Sequence, residues 1–562
     1  MPQKAWLRES IVLIGLMAVI TLIGLPLLMT GPQSGHSFFF NLSWTKGFAE
    51  TFAEGIFYPR WLPHLHQEAG SPVFFFYAPF PFYLSTLGHV FCPDCTIDQH
   101  MGFGMWFMML LAGVAFYTFA RQLVGHLTAL SSAFLYTILP YHFYFDLLQR
   151  QALGETSVYI FMPLALLSVK RLSDGWHWVA GVALAFAMAL FSHLPGTLLF
   201  SPFLLLYAVV IAYRTPHWRS ILVRFAIGII LGMALSGIYL IPALTLQEHI
   251  NSQVWWDQEY NAFMKWFVMG SVDAKNPQFL QEMKDLLCGV TIMAGLLFLT
   301  AGKNQRAQTP WLIFLVGSWF LMTPLSFWLW KWVPVLQKVQ FPFRAAIIFD
   351  LAIALIAMQA LGEISREFPN RSAVAMGIFV VLCLGSIHLI HHEYEHHQRL
   401  VSDSYYQERK NRAIALGWDG LEYFPAAVKD YPMAEQYSPV MVRIDKKGSY
   451  SVEEWRSRRI ILHMTLQETS KVIIHQFYFP GWQAQMVESM QIVPLQANPE
   501  GLLELNAPAG HYSLQLTLET LPAERVGAIM SFVALICMLL FYALGVTHGV
   551  SAGGGSSKPG GQ

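Results

Sequence analysis

Two carboxylates and one guanidinium group lie close together in one short segment of the sequence. Asp146 and Arg150 are four residues apart, so in a helix they share one face and can pair with each other. Glu155 follows just inside an apolar run, where a carboxylate needs a partner such as Arg150 or a substrate hydroxyl. Such a carboxylate can accept a proton during group transfer. With Tyr141 and His142 ahead of it, the segment predicts either a reactive site or a structural ion pair.

The long segment between residues 31 and 100 holds a second group of candidate side chains. Connections are usually about 4 to 6 residues long, and much longer ordered ones are often functional. The alternative is a plug that merely packs over the helices. The polar residues that stand out in this segment are His36, Glu50, Glu54 and Arg60.

A third group of candidates lies at the ends of two apolar runs. Arg344 opens one run, with Gln340 just before it, and His193 ends another. Arginine binds phosphate oxygens through two parallel hydrogen bonds, so an arginine at the outer membrane interface suits a lipid-linked phosphate. The alternatives are an arginine that reaches to lipid headgroups and a histidine whose polar atoms are satisfied within the core.

Patterns that suggest metal binding are weak. His392 and His396 have a spacing that can hold a metal on a helix, but the exposed end of a spanning helix explains this histidine-rich run. We therefore predict no metal site, and whether a divalent metal is required stays open. Cys92 and Cys95 form a Cys-x-x-Cys pair, for which a disulfide, two thiols and a metal site are the alternatives.

The composition places these groups in a membrane protein. Of the 562 residues, 55% are apolar and 12% are charged, and the mean hydropathy is +0.43, which lies outside the range of soluble domains. Basic and acidic residues number 35 each, so the charge balance predicts no nucleic-acid partner. The phosphate-binding loop of ATP-driven transporters and the dinucleotide-binding fingerprint do not occur. The sequence predicts a polytopic α-helical membrane protein.

About twelve apolar runs are candidate spans, because a spanning helix needs about 20 mostly apolar residues. Lys4 and Arg8 precede the first run, so we expect a cytoplasmic N-terminus. The runs lie near 11–30, 101–120, 127–145, 156–169, 176–192, 196–213, 222–245, 286–302, 310–330, 345–362, 372–390 and 526–547.

The aromatic run 73–91 decides the topology. It is apolar and long enough to span, but it contains Pro79 and Pro81. If it spanned, the short basic loops would face outward, against the positive-inside tendency. We therefore predict a lateral or re-entrant segment on the outer side, with all the candidate groups on that side too. The basic loops contain Arg121, Lys170, Arg171, Arg214, Arg219, Lys303, Arg306, Arg366 and Arg371.

The long polar stretch 393–525 differs from the rest of the chain. Its residues 511–518 alternate between polar and apolar with a period of two, which is typical of a half-buried strand. We predict a small extracytoplasmic β-sandwich here, between a transmembrane domain of residues 1–392 and a last span at 526–547. A flexible tail, 548–562, follows.

The order of these motifs resembles that of a known family. Four of the motifs are similar to those of the bacterial multi-spanning GT-C-type membrane glycosyltransferases. The polar stretch resembles the outer β-domain of the branch that includes lipoteichoic-acid-glycosylating proteins. The motifs are Gly35-His36, Tyr58-Pro59-Arg60-Trp61, Leu148 to Glu155 and Gln340 to Arg344, and those of the β-domain are Phe479 to Trp482 and Ala507 to His511.

The resemblance implies a GT-C-like fold and transfer of a sugar from a polyprenyl-phosphate donor. The acceptor would be a cell-envelope glycan or lipid outside the bacterial cytoplasmic (inner) membrane, among membrane lipids. A carboxylate would take the proton of the acceptor hydroxyl while cations hold the departing phosphate. The implied catalytic candidates are Glu54, Glu155 and Asp146, and the substrate-binding candidates are His36, Arg60, Tyr141, His142, Arg150, His193, Gln340 and Arg344.

One position departs from the family pattern. The family carries an acidic residue directly after the Gly-His pair, where this chain has Ser37, and serine cannot act as that base. Either Glu54, Glu50 or Glu155 substitutes, or the protein binds lipid-linked glycans without transferring them. A lipid-linked glycan transporter is a third hypothesis, which the small number of charges inside the spans disfavours.

Overall fold

The computed structural model of the protein describes residues 2–256, 262–300, 309–367, 372–428 and 440–553. A large helical part comes first, a region of nine strands follows, and a single long helix ends the described chain. The predicted loop residues Lys303, Arg306 and Arg371 lie outside the described residues, as does most of the predicted tail.

Between residues 25 and 91 most helices are short, because glycine and proline interrupt this segment. In chain order the helices are α1 (Pro2–Ile23), α2 (Leu25–Thr30), α3 (Phe38–Ala53), α4 (Leu65–Glu68), α5 (Val73–Phe76), α6 (Phe80–Phe91), α7 (Ile97–Ala120), α8 (His126–Ile138), a π-helix (Tyr141–Arg150), α9 (Leu153–Lys170), α10 (His177–Ser192), α11 (Leu194–Tyr213), α12 (Trp218–Leu235), α13 (Gly237–Thr245), α14 (Pro277–Thr300), α15 (Thr309–Leu321), α16 (Phe327–Trp332), α17 (Pro334–Gln337), α18 (Ala346–Glu367), α19 (Ser372–Val401), α20 (Ser404–Leu416) and α21 (Pro522–Gly553).

Several of these helices are suited to a membrane. Among the described residues, seven helices are long and apolar enough to cross a bilayer, and a pair bent by 84° at 309–332 would make an eighth. The chain is therefore a mostly helical membrane protein. The predicted number of about twelve spans stays a prediction, as do the orientation and the bacterial inner membrane.

Two predicted spans are interrupted by breaks in the helical backbone. Leu139 precedes Pro140 and is extended, with ψ 144°, because a residue before proline is disfavoured in the helical region. The predicted span 127–145 is therefore split between α8 and the π-helix. The predicted span 222–245 is likewise divided at Ser236 into α12 and α13.

The aromatic run 73–91 folds as two short helices rather than one straight rod. Tyr77 is extended between α5 and α6, and Pro79 and Pro81 stand at the start of α6. Most side chains of the run are buried within the protein. This shape suits the predicted lateral or re-entrant segment, whose outer position stays a prediction.

The strands of the C-terminal region form two antiparallel sheets. One sheet has the order β1-β4-β8-β7 and the other β2-β3-β9-β5-β6. Alternate residues of β9 are buried as the period of two predicted, and the buried residues of both sheets belong to one hydrophobic cluster. The strands are β1 (Val442–Ile444), β2 (Gly448–Arg456), β3 (Arg459–Leu466), β4 (Ser470–Phe477), β5 (Trp482–Met486), β6 (Ile492–Val493), β7 (Gln496–Ala497), β8 (Leu502–Ala507) and β9 (Gly510–Leu518).

The β region occupies only part of the polar stretch 393–525. Residues up to Val401 continue α19, and α20 follows before the first strand. At the other end, α21 begins at Pro522 and runs past the predicted end of the last span. Gly527 of α21 packs so closely on α13 that an added Cβ atom would lie 2.4 Å from the Gly237 carbonyl oxygen.

The segment 61–70 joins the β region to the helical part. The Trp61 indole donates to Gln476 Oε1 at 3.1 Å, and the Gln476 amide donates to the Glu68 carbonyl at 2.6 Å. Three successive residues, 66–68, have positive φ angles between 53° and 69°, a conformation that non-glycine residues rarely adopt. These contacts keep the β region fixed against the base of the first loop.

Candidate functional site

A cavity of about 520 Å³ lies where the first loop meets the helices. Its lining comes from the start of α3, the junction of the π-helix with α9, the start of α11, the end of α13, and residues 338–344 and 420–423. Six of the residues proposed from sequence line it, and these are His36, Arg150, Glu155, His193, Gln340 and Arg344.

Glu155 is the centre of a cluster of hydrogen-bonded side chains. The Tyr141 hydroxyl donates to its Oε1 at 2.6 Å, and both Nη atoms of Arg150 lie 3.1 Å from its Oε2. Arg150 Nη1 also donates to Asp146 Oδ1 at 2.6 Å. Both carboxylate side chains are 0% exposed. The structure thus brings these four candidates together, and the ion pair indicated by the sequence spacing is present.

Arg344 joins this cluster from a distant part of the chain. Its Nε lies 3.2 Å from Glu155 Oε2, and its Nη1 donates to the Val339 carbonyl at 2.6 Å. Nη2 makes no hydrogen bond to any described residue. The guanidinium group lies 4.7 Å from the centre of the Phe341 ring. We call Tyr141, Asp146, Arg150, Glu155 and Arg344 the Glu155 cluster.

The backbone around Arg150 explains why the first loop reaches this cluster. The π-helix ends at Gln151, whose left-handed conformation (φ 52°) turns the chain into α9. The amides of His36 and Ser37 donate to the carbonyls of Gln149 and Arg150 at 2.9 and 3.0 Å. Two backbone hydrogen bonds therefore join the first loop to the same turn that carries Arg150.

The charges of the Glu155 cluster balance one another. Two carboxylates, Asp146 and Glu155, face two guanidinium groups, Arg150 and Arg344. A buried charge is tolerated only when it is paired in this way. Lys338 adds a further positive side chain at the rim of the cavity, and we call Arg150, Arg344 and Lys338 the basic wall.

Two histidines line the same cavity in different roles. His193 Nδ1 accepts a hydrogen bond from the Gly196 amide at 3.1 Å and so caps the start of α11, which leaves Nε2 as the donor of a neutral ring. The His36 ring packs near Phe279. Burial lowers the pKa of His36, and the nearby Arg150 lowers it further, against a smaller raising effect of Glu393.

Three of the catalytic and substrate-binding candidates lie outside both the cavity lining and the Glu155 cluster. His142 stacks on Tyr159, with ring centres 3.7 Å apart, inside the helical core. Arg60 pairs with Glu524 at 2.9 Å and thereby ties the first loop to α21. Glu54, at the far end of α3, contacts the turn between β2 and β3. The structure gives these three residues packing contacts and does not bring them to the Glu155 cluster.

Replacing Glu54 by glutamine is expected to lower the free energy of unfolding by about 1 kcal/mol, because both of its hydrogen bonds to Ser457 lose a charged acceptor. Its carboxylate accepts from the Ser457 amide at 3.0 Å and from the Ser457 hydroxyl at 2.6 Å. Denaturant titration in detergent would measure the change. Glu468→Gln is the matched control, since Glu468 pairs with Lys446 at the surface. Equal stability of the two variants would contradict a docking role for Glu54.

Several lining residues were not proposed from sequence. Glu422 lies in a short 3-10 turn after α20, and Trp44 and Trp255 provide aromatic rings. No spacing rule singles out Glu422, because it stands in a polar linker without periodicity. Trp44 carries a weak signal, since it belongs to the apolar face of a helix in the first loop.

The described part of the chain contains no cluster of potential metal ligands. No group of three or more histidine, cysteine, aspartate or glutamate residues there has metal-binding geometry. Residues 392–396 also have the His-Glu-x-x-His spacing of zinc proteases, but Glu393 faces His397 at 3.5 Å. Cys92 and Cys95 form a disulfide, which is one of the alternatives left open by the sequence.

Comparisons with known proteins show a similarity in structure. No protein-family model and no curated protein matches the chain. Among solved structures, the chain is similar to the crystal structure of the Archaeoglobus fulgidus oligosaccharyltransferase in complex with zinc and sulfate. The identity is 12% and the TM-score 0.39, over 75% of this chain and 59% of that one. The chain thus spans less than two thirds of that protein.

Proposed function

We propose that the protein is a membrane glycosyltransferase, which moves a sugar from a polyprenyl-phosphate donor to an extracytoplasmic acceptor in the bacterial cell envelope. One observation carries the proposal. A single cavity combines a basic wall, aromatic side chains and apolar residues at the ends of membrane-type helices. A lipid-linked sugar has the matching three parts, namely a phosphate, a sugar ring and an apolar chain.

The phosphate would bind at Arg344 and Lys338. The Nη2 group of Arg344 has no hydrogen-bond partner among the described residues, and Lys338 is exposed at the rim. The amide of Gln340 lines the same wall. Charge accumulates on the phosphate as it departs from the sugar, so fixed cations there stabilise the transition state more than the bound donor.

The lipid chain would lie against the apolar side of the cavity. Leu194 opens α11, Leu244 lies at the end of α13, and Phe341 lies beside Arg344. Leu244 is 55% exposed although it is apolar, which suits contact with hydrocarbon chains. A donor bound here would keep its isoprenoid tail in the bilayer while its phosphate reaches the basic wall.

Glu155 fits a positioning role in this scheme better than that of the base. Its carboxylate already contacts Tyr141, Arg150 and Arg344 at 2.6 to 3.2 Å. Both of its carboxylate oxygens are therefore already occupied by hydrogen-bond donors. It therefore holds the cations in place, and the proton of the acceptor hydroxyl needs another recipient.

One observation favours a second candidate function. Ser37 lines the cavity, at the position where the family pattern places an acidic residue. A protein that binds lipid-linked glycans without transferring them would need the basic wall and the apolar side but no base. This alternative predicts donor binding without turnover.

A transfer assay in native membranes tests the proposal. Membranes of cells with and without the protein would receive radiolabelled polyprenyl-phosphate sugars, and the label would be followed into lipid, polymer and protein fractions. We expect label in one fraction only when the protein is present. Donor binding by the purified protein with no transfer from any donor would favour the binding function, and accumulation of intact donor across the membrane would favour transport.

A further inference from the structure

Two carboxylates line the cavity among the described residues, Glu155 and Glu422. They differ in their surroundings. Glu155 belongs to the Glu155 cluster and contacts two guanidinium groups. Glu422 lies in the 3-10 turn Leu421–Tyr423, well separated in sequence from that cluster, and it is half-buried.

The charged groups of the cavity leave Glu422 unpaired. Its pKa is raised to about 7 by burial, against the lowering effect of a hydrogen bond from its own backbone amide, and the nearby Asp419 makes a smaller contribution that raises it. No basic side chain in the described part of the chain contributes to this pKa. The basic and imidazole groups of the other lining elements are Arg150, Lys338, Arg344, His36 and His193.

The turn that carries Glu422 is fixed in place. Asp419 Oδ1 accepts from the Gly420 amide at 2.7 Å and from the Trp44 indole at 2.9 Å. Tyr423 packs against Trp44, with ring centres 5.7 Å apart. These contacts connect the turn to α3 of the first loop and fix the position of the turn relative to that helix.

Aromatic rings beside Glu422 suit a sugar acceptor or the transferred sugar. Trp44 and Trp255 both line the cavity, and Trp255 lies 6.2 Å from the Tyr423 ring. Aromatic faces offer a flat apolar surface next to a polar edge. A hydroxyl group held against them would lie in the same cavity as Glu422, which no cation among the described residues neutralises.

We propose that Glu422 is the general base of the transfer reaction and takes the proton of the acceptor hydroxyl. This inference rests on the proposed glycosyltransferase function. As the proton moves to the Glu422 carboxylate, the acceptor oxygen forms a bond to the anomeric carbon. The bond between that carbon and the phosphate oxygen breaks, and polyprenyl phosphate leaves with the electron pair on the basic wall. The Glu422 proton then returns to solvent, so no further reactant is needed.

The substitution Glu422→Gln is the direct test. It removes the basic oxygen but keeps the size of the side chain, and we expect transfer to fall by about 10² to 10⁴-fold. Binding of the polyprenyl-phosphate donor by purified protein should change less than about threefold, since the variant keeps the basic wall. Glu468→Gln at the surface is the matched control. It should keep the wild-type rate.

The outcomes of this test distinguish failure of the proposed function from failure of the role of Glu422. If wild-type membranes transfer no sugar, the proposed function fails, and the role of Glu422 fails with it. If the wild-type protein transfers sugar and Glu422→Gln keeps its rate, only the role of Glu422 is overturned. Because folding raises the pKa of this acid, the neutral variant should unfold at a temperature no lower than that of the wild-type protein.

The pH profile of the wild-type protein is an independent test that needs no variant. A base must be deprotonated to act, and the pKa of Glu422 is about 7. We therefore expect the rate of transfer at subsaturating acceptor to rise about tenfold per pH unit below pH 7 and to level off above it. A rate that is constant between about pH 5.5 and 8.5 would overturn the proposal.

Discussion

Replacing Arg150 by methionine is expected to lower the free energy of unfolding by about 3 to 5 kcal/mol, which is the usual cost of removing one partner from a buried ion pair. Asp146 would lose its cation, 2.6 Å away, and would keep only the Thr156 hydroxyl at 3.3 Å. Glu155 would keep Tyr141 and Arg344. The destabilisation therefore comes mainly from the isolated carboxylate of Asp146.

A denaturant titration of the purified protein in detergent would measure this change. The double variant Arg150→Met with Asp146→Asn should recover part of the loss, because the unpaired charge is then absent. Arg459→Met is the matched control, since Arg459 is half-exposed in its surface pair with Glu454. It should cost less than about 1 kcal/mol. A loss below about 1 kcal/mol for Arg150→Met would contradict a buried, structurally required pair.

The spacing of Asp146, Arg150 and Glu155 is local, and for that reason the sequence predicts their contact. The two side chains four residues apart are neighbours in any helical conformation, and an acidic residue in an apolar run needs a nearby cation. The conformation of this segment was not predictable in the same way. It is a π-helix that ends in a left-handed residue, Gln151, and it depends on the packing of the first loop against it.

Arg344 lies almost two hundred residues beyond the π-helix, and no local pattern connects the two. Its basic side chain at the start of an apolar run predicts an interface position, but its contact with Glu155 depends on how α18, which follows Arg344, packs against α8 and the π-helix. The sequence supplied only the motif order shared with a family. Long-range packing of this kind requires the tertiary structure.

The positions of Glu54 and Glu422 show why the sequence did not identify the carboxylate that could act as the base. His36 and Glu54 flank α3, a helix of 16 residues, which is about 24 Å long. Two residues at opposite ends of such a helix cannot line one small cavity. Glu422 reaches the cavity because Asp419 bonds to Trp44 of the same helix, and that contact has no signature in the sequence.

Replacing Arg344 by glutamine is expected to slow transfer by about 10² to 10³-fold, the range found when one donor to a developing charge is removed. The fold should persist, because Glu155 keeps Tyr141 and Arg150 as partners. Lysine at this position should restore only part of the rate. It keeps the charge but lacks the planar group that binds two phosphate oxygens.

The rate of transfer at saturating donor would measure the effect of Arg344, with the amount of folded protein determined in parallel. Arg459→Gln, in an exposed surface pair, should transfer at the wild-type rate. The variant Arg344→Gln should also flatten the dependence of donor binding on salt, since one fewer cation then contacts the phosphate. A rate within about threefold of wild type would show that Arg344 does not face the departing phosphate. Its role would then be limited to pairing with Glu155, and the basic wall would reduce to Arg150 and Lys338.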